Sequence, residues 1–288
     1  MYIIAASLLG NFALNIYVYF WGPEGPFSRF NFQREALVVE EVLPNSAGDR
    51  AGIQAGDRVL TIDGRHVRGL GQWDLIRINF EVGKAYRLQV EQDGRQFERV
   101  MTLQRRSWSQ QTQYRRIAFV LDTASALLTL FVAFLIAFTR PYDWVARIGA
   151  LSIALLGESS SLYGTSAIVR HLPILAGALI WWPTVGFFIF PGLFFAFCSI
   201  FPRRLFRSRW IWVAVVPSLF FLLPIAGFTY FTFVNPLGEW TISDWVPRFG
   251  GSLLFAYMGA GVFALIVNYR RLDDVNQKRR IRVLVTGI

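Results

Sequence analysis

In 288 residues, 54% are apolar and 16% aromatic. With a mean hydropathy of +0.39, that is more apolar surface than a soluble domain can hide. The net charge of +10 is compatible with nucleic acid in principle, but the Arg residues stand beside apolar runs, the pattern of membrane-flanking charge. The lipid bilayer is therefore the expected partner and nucleic acid is not. The single cysteine, Cys198, excludes a disulfide within the chain and a cysteine-built metal site.

Taken in order, Tyr2 to Trp21 is an almost uncharged run long enough to span a bilayer. It lacks the basic start and small-residue cleavage site of a secretory leader, so it reads as a retained signal anchor over residues 1–21. Asn11 and Asn15 lie one helical turn apart and offer hydrogen bonds to neighbouring helices. Gly22 to Phe27, GPEGPF, follows as a linker into a strand around Ser28–Gln33. Then come an apolar strand, Leu37 to Val42, a loop at Pro44-Asn45-Ser46, and a short helix-capable piece ending at Ala51-Gly52. A second strand, Arg58–Ile62, ends at Asp63-Gly64, and Asp93-Gly94 separates two further strand-like runs. Asp-Gly between apolar runs signals a two-residue type I′ hairpin, because both central residues need φ > 0. Between the hairpins, GQWDLIRINF (Gly71–Phe80) carries a partial helical stripe.

The order of Val39, Val42, Pro44 and Ser46, then Ala51-Gly52-Ile53, Gly56-Asp57, Val59 and Ile62-Asp63-Gly64, resembles a bacterial-type PDZ domain. The resemblance covers about a quarter of the chain, residues 25–106, and its spaced motifs agree with one another. It implies a domain that binds a peptide or protein terminus by adding it as a strand at a sheet edge. It also implies a groove bordered by the Gly71–Phe80 helix, with Trp73, Ile76 and Arg77 as border residues. Gly25 and Phe27 stand roughly where the family's carboxylate-binding loop would be, and Phe30 lies on the strand after it. Pro23 and Pro26 depart from that loop, because proline has no N–H to offer. Ile76 is equally well explained as core, and His66 as a solvated turn residue.

After a basic connector, Gln104 to Arg116, the 107–288 region alternates apolar runs and charged loops. Spans are expected over 117–138, 145–167, 172–201, 210–233 and 250–268, with the start of another at 281. Pro183 and Pro191 in the long fourth run predict kinks or tilt. The fold class is mixed: a multi-span α-helical membrane bundle with one small β-rich PDZ-like domain. Basic residues crowd the loops after the second, fourth and sixth spans: Arg140 and Arg147; Arg203, Arg204, Arg207 and Arg209; Arg270, Arg271, Lys278, Arg279, Arg280 and Arg282. The loop after the third holds only Arg170 and His171, and the one after the fifth sets Arg248 against Glu239 and Asp244. The positive-inside rule puts the crowded loops in the cytoplasm and the PDZ-like domain outside it.

Catalytic signatures are not found. The two histidines, His66 and His171, have no His-Glu-x-x-His context for zinc, and no histidine follows on a later span to activate a membrane serine. No phosphate-binding loop or dinucleotide fingerprint is present, so the expectation is a chain with no enzymatic site and no cofactor. Asp122 lies near Arg116, at an interface. Glu158, in GESSS, is an intramembrane polar candidate for ion, ligand or helix pairing, or for hydrogen bonding inside the bundle. The layout of anchor, external domain and bundle with a basic Tyr269–Arg282 segment resembles the sensor region of competence-type quorum-sensing histidine kinases. That resemblance implies a receptor input to a cytoplasmic domain beyond residue 288, hence a fragment, and, as such bundles often are, a homodimer. A PDZ membrane scaffold is the alternative reading, with a transporter component built on Glu158 as a third.

Overall fold

The computed structural model describes residues 1–27, 29–33, 36–105, 111, 113–157, 165–202, 204–205, 216–235, 245–272, 275–276 and 278–279. Glu158, Trp108, residues 210–215 of the fifth expected span and the run from 281 lie outside them.

After the first helix, α1 (Tyr2–Trp21), the chain enters a β-rich domain. It contains β1 (Arg29–Gln33), β2 (Ala36–Glu41), α2 (Ala47–Arg50), β3 (Arg58–Ile62), β4 (Arg65–His66), α3 (Leu70–Arg77), β5 (Ala85–Gln92) and β6 (Arg95–Thr102). The strands form one antiparallel sheet in the order β1-β2-β3-β5-β6, with β4 paired to β3. Both Asp-Gly pairs turn as the sequence predicts: φ is 50° and 77° at Asp63 and Gly64, and 51° and 76° at Asp93 and Gly94. Each turn sets the register on either side of it, Ile62 opposite Arg65 and Gln92 opposite Arg95. Alternation along β5 sends Tyr86, Leu88 and Val90 inward and leaves Ala85, Arg87 and Gln89 outside. Those inward residues join Leu37, Val39, Val59, Ile62, Trp73 and Met101 in one core.

The remaining helices are α4 (Gln113–Thr139), α5 (Trp144–Gly157), α6 (Thr165–Val169), α7 (Ile174–Gly186), α8 (Phe190–Ile200), α9 (Leu222–Phe233) and α10 (Trp245–Arg270). Short 3-10 turns join α7 to α8 and precede α9. Among the described residues five segments are long and apolar enough to cross a membrane: Tyr2–Trp21, Gln113–Thr139, Ile174–Ile200, Val216–Phe233 and Arg248–Arg270. These are the helices of a multi-pass membrane protein. The Ile174–Ile200 segment is central, since 61% of its most apolar window is buried against 11–22% for the others. Close packing on it needs small residues: a Cβ at Gly261 of α10 would fall 2.7 Å from the Phe194 ring.

The proline in the central helix decides what packs against it. Pro183 has no N–H, so the Leu179 carbonyl loses its helical donor, and the ring crowds the carbonyls before it. In hydrocarbon such groups must find another partner. They find it on α1. Ser7 Oγ donates to the Leu179 carbonyl, and Asn11 Nδ2 donates to the Ile180 carbonyl at 2.7 Å and to Thr184 Oγ1 at 2.6 Å. Asn15 Nδ2 in turn donates to Asn11 Oδ1 at 2.9 Å. Ser7, Asn11 and Asn15 recur every four residues, so they form one polar stripe on an otherwise apolar helix.

Candidate peptide-binding groove

β1 is an edge strand, paired through the sheet with β2 alone. Such a strand presents unpaired backbone groups to an incoming chain. Phe30 and Phe32 project from the same face of β1, their ring centroids 5.9 Å apart. Phe30 meets Trp73 of α3 edge-on at 5.2 Å, and Phe27 stacks on the same indole at 5.9 Å. Strand and helix therefore face each other across three aromatic rings. Trp73 is 1% exposed, and its Nε1–H has no acceptor among the described residues. Ile76 is buried beside it, Arg77 is half-buried in the last turn of α3, and Gly25 is exposed. The structure thus brings Phe27, Phe30 and Trp73 together, and Phe27, Trp73 and Ile76 contribute to the core as well.

The GPEGPF segment is stitched to the rest of the domain. The Glu24 N–H donates to the Gln104 carbonyl at 3.0 Å, and the Gln104 N–H returns to Glu24 Oε1 at 2.8 Å. Arg50 forms an ion pair with Glu24 and donates to the Thr102 carbonyl at 3.2 Å. The Gly48 N–H donates to the Pro26 carbonyl at 3.2 Å. The segment therefore fixes where α1 hands over to β1.

The far end of α3 is anchored too, on residues that sequence reasoning missed. The Ile78 carbonyl accepts from Ser166 Oγ of α6 at 2.8 Å. Asn79 Oδ1 accepts from Arg170 Nη1 at 2.7 Å, and Arg170 also pairs with Glu81. Asn79 Nδ2 donates back to the Leu75 carbonyl of α3 at 2.8 Å. The Glu81 N–H donates to the Tyr86 hydroxyl at 2.8 Å. Burial first, then the Asp63 carboxylate, pushes the Tyr86 phenol well above its usual range, so it stays protonated. Burial lowers the Arg170 guanidinium from its usual value. In the sequence Arg170 is one basic residue in a short loop, and no local pattern ties it to Asn79 or Glu81. Among the described residues no three His, Cys, Asp or Glu side chains group as a metal ion would need.

Residues 38–77, from β2 to the end of α3, match the family model of the PDZ domain. The chain is also 44% identical over 61 residues to the Regulator of sigma-E protease RseP of Escherichia coli (strain K12). That match covers 20% of this chain and 12% of the relative's length. The relative is by name a protease, and this corrects the expectation of a chain with no enzymatic role. That expectation came from missing catalytic motifs, whereas the similarity is carried by the binding domain, a part of the sequence that holds no such motif.

Proposed function

We propose that the PDZ-like domain captures an extended polypeptide, by its terminus, as an added strand on β1, and that the helical bundle holds this domain outside the cytoplasm as a receptor input. The observation that carries the reading is the open edge of β1 facing α3 across Phe30 and Trp73. Added strands gain affinity from main-chain hydrogen bonds and selectivity from side-chain pockets. The outside placement is supported by the basic loops, with Arg140 and Arg147 at the end of α4 remote from the domain. The test uses the whole chain in detergent, a library of hexapeptides with free C-termini, and hydrogen exchange as the readout. Binding peptides are expected to protect the amides of β1 and α3. Protection confined to β6, the other sheet edge, overturns the reading, as does no protection anywhere.

A second reading is favoured by the similarity to RseP: the groove presents polypeptides for proteolysis in the membrane. The same library distinguishes them. Peptides recovered cut after incubation with the purified chain support presentation for cleavage, and peptides recovered whole support reception. As a receptor the chain feeds a cytoplasmic output through its helices, and as a scaffold it only recruits.

A further inference from the structure

We propose that Arg170, remote from the PDZ-like domain in sequence, is a positioning residue for its groove, and that the spacing of α1 and α7 follows the groove's width. This rests on the peptide-capture reading and adds to it which membrane helices register the bound chain.

The groove has two walls, and each is tied to a different helix. The β1 wall continues through 22–27 into α1, and the bonds of Glu24 and Pro26 hold that segment in place. The α3 wall ends at Ile78, Asn79 and Glu81, which are held by Ser166 and Arg170. Arg170 lies between α6 and α7, whose first residue is Ile174. The helices at the two ends of this path, α1 and α7, are bonded to each other through Ser7 and Asn11. The path β1–α1–α7–Arg170–α3 is therefore a closed ring, completed by the Phe30–Trp73 contact.

A chain inserted between β1 and α3 lengthens one link of that ring, and another must yield. The domain core is close-packed and the linker is hydrogen-bonded, so both resist. Arg170 resists as well: its guanidinium reaches an amide oxygen and a carboxylate together, a geometry that a flexible ammonium does not hold as well. The α1–α7 contact yields more readily. It consists of side-chain bonds to two carbonyls and a hydroxyl of the proline-bearing helix, beside the packing of Leu14 against the Trp181 cluster and of a bare glycine, Gly10, on Ile180. Two packed helices that shift past each other are a recurrent means of passing a binding event onward.

The test needs no peptide. A Cβ at Gly10 of α1 lies 3.4 Å from Ile180 Cγ1 of α7. Gly10→Cys and Ile180→Cys, in the full chain with Cys198→Ser, therefore report the helix spacing by the rate of disulfide formation. Phe30→Ala removes the ring that bridges the groove. It is expected to change that rate by roughly threefold or more, within the range for coupled contacts. The change should vanish with Arg170→Ala and shrink with Ser166→Ala. The charge exchange Arg170→Glu with Glu81→Arg should restore it, a rescue that a purely structural role for Arg170 does not require. An effect of Phe30→Ala that is equal with and without Arg170, or no effect at all, overturns the proposal. Hydrogen exchange with the hexapeptide library separates the two levels. Protection of β1 without coupling leaves peptide capture standing and removes the ring. Coupling without protection leaves the ring and removes peptide capture.

Discussion

Asn11 is the residue on which the join between the first helix and the bundle depends. It is fully buried and holds two acceptors on α7, the helix that contains Pro183. Asn11→Leu is expected to lower stability by about 1–2 kcal/mol, at the upper end for a hydrogen-bonding side chain between membrane helices. The measurement is unfolding of the detergent-solubilised chain. Ser7, one turn before Asn11, makes a second, sharper prediction. Pro183→Ala returns an N–H to the Leu179 carbonyl, the acceptor that Ser7 serves. On that background Ser7→Ala should cost less than in the unmodified chain, and the difference measures the coupling of serine to proline. Equal costs on both backgrounds would mean that Ser7 packs without serving that carbonyl. The sequence already marks Asn11 as a polar residue in an apolar helix, and Pro183 as a kink. It does not mark them as partners, because 172 positions separate them and only the fold brings one to the other.

The hairpins are the elements whose form is most local, and they turn as their sequence requires. A Cβ at Gly94 would meet nothing within 4 Å, so any cost of Gly94→Ala comes from φ alone, at 76°. That substitution should destabilise the PDZ-like domain by about 1 kcal/mol, read as faster hydrogen exchange in β5 and β6. Gly251 of α10 also has open space around a Cβ, but without a positive φ. Gly251→Ala should have the opposite sign and stabilise by up to about 1 kcal/mol. Local rules also made the edge strand, the α3 helix and five long apolar helices readable, since period and turn chemistry lie within a few residues. Where a span is expected over 145–167, the described residues show a 14-residue helix, Trp144–Gly157, with 158–164 outside them. Tertiary demands hid the rest. Trp73 reads as a groove residue and lies in the core, because its indole packs against Phe27, Phe30 and Phe80 where α3 covers the sheet. Ser166 reads as the end of a span and Arg170 as a loop residue, and their service to Ile78 and Asn79 depends on contacts made 88 and 91 positions away.

At the scale of the whole molecule, charge and geometry can be set against each other. The α4 helix has 27 residues, so its ends are about 40 Å apart. Gln113 begins it near the PDZ-like domain, and Tyr142 follows its other end, 95% exposed, between Arg140 and Arg147. The chain then returns through α5 to Arg170, which touches the domain again at Asn79 and Glu81. Arg170 is thus paired with a carboxylate on the domain's side, which weakens it as a charge opposing translocation, while Arg140 and Arg147 crowd the opposite end. The positive-inside rule puts the two ends of α4 on opposite sides, and the helix is long enough to reach from one to the other. On a Cys198→Ser background, Asp93→Cys and Tyr142→Cys test this in intact cells with a maleimide that does not cross membranes. Position 93 should react from outside, and position 142 only after the cells are opened. The reverse pattern would put the groove in the cytoplasm, with cytoplasmic polypeptides as its ligands. Labelling of both positions in intact cells would mean that α4 does not cross, and the ring from β1 through α1 and α7 back to α3 would then lie on a membrane surface instead of spanning it.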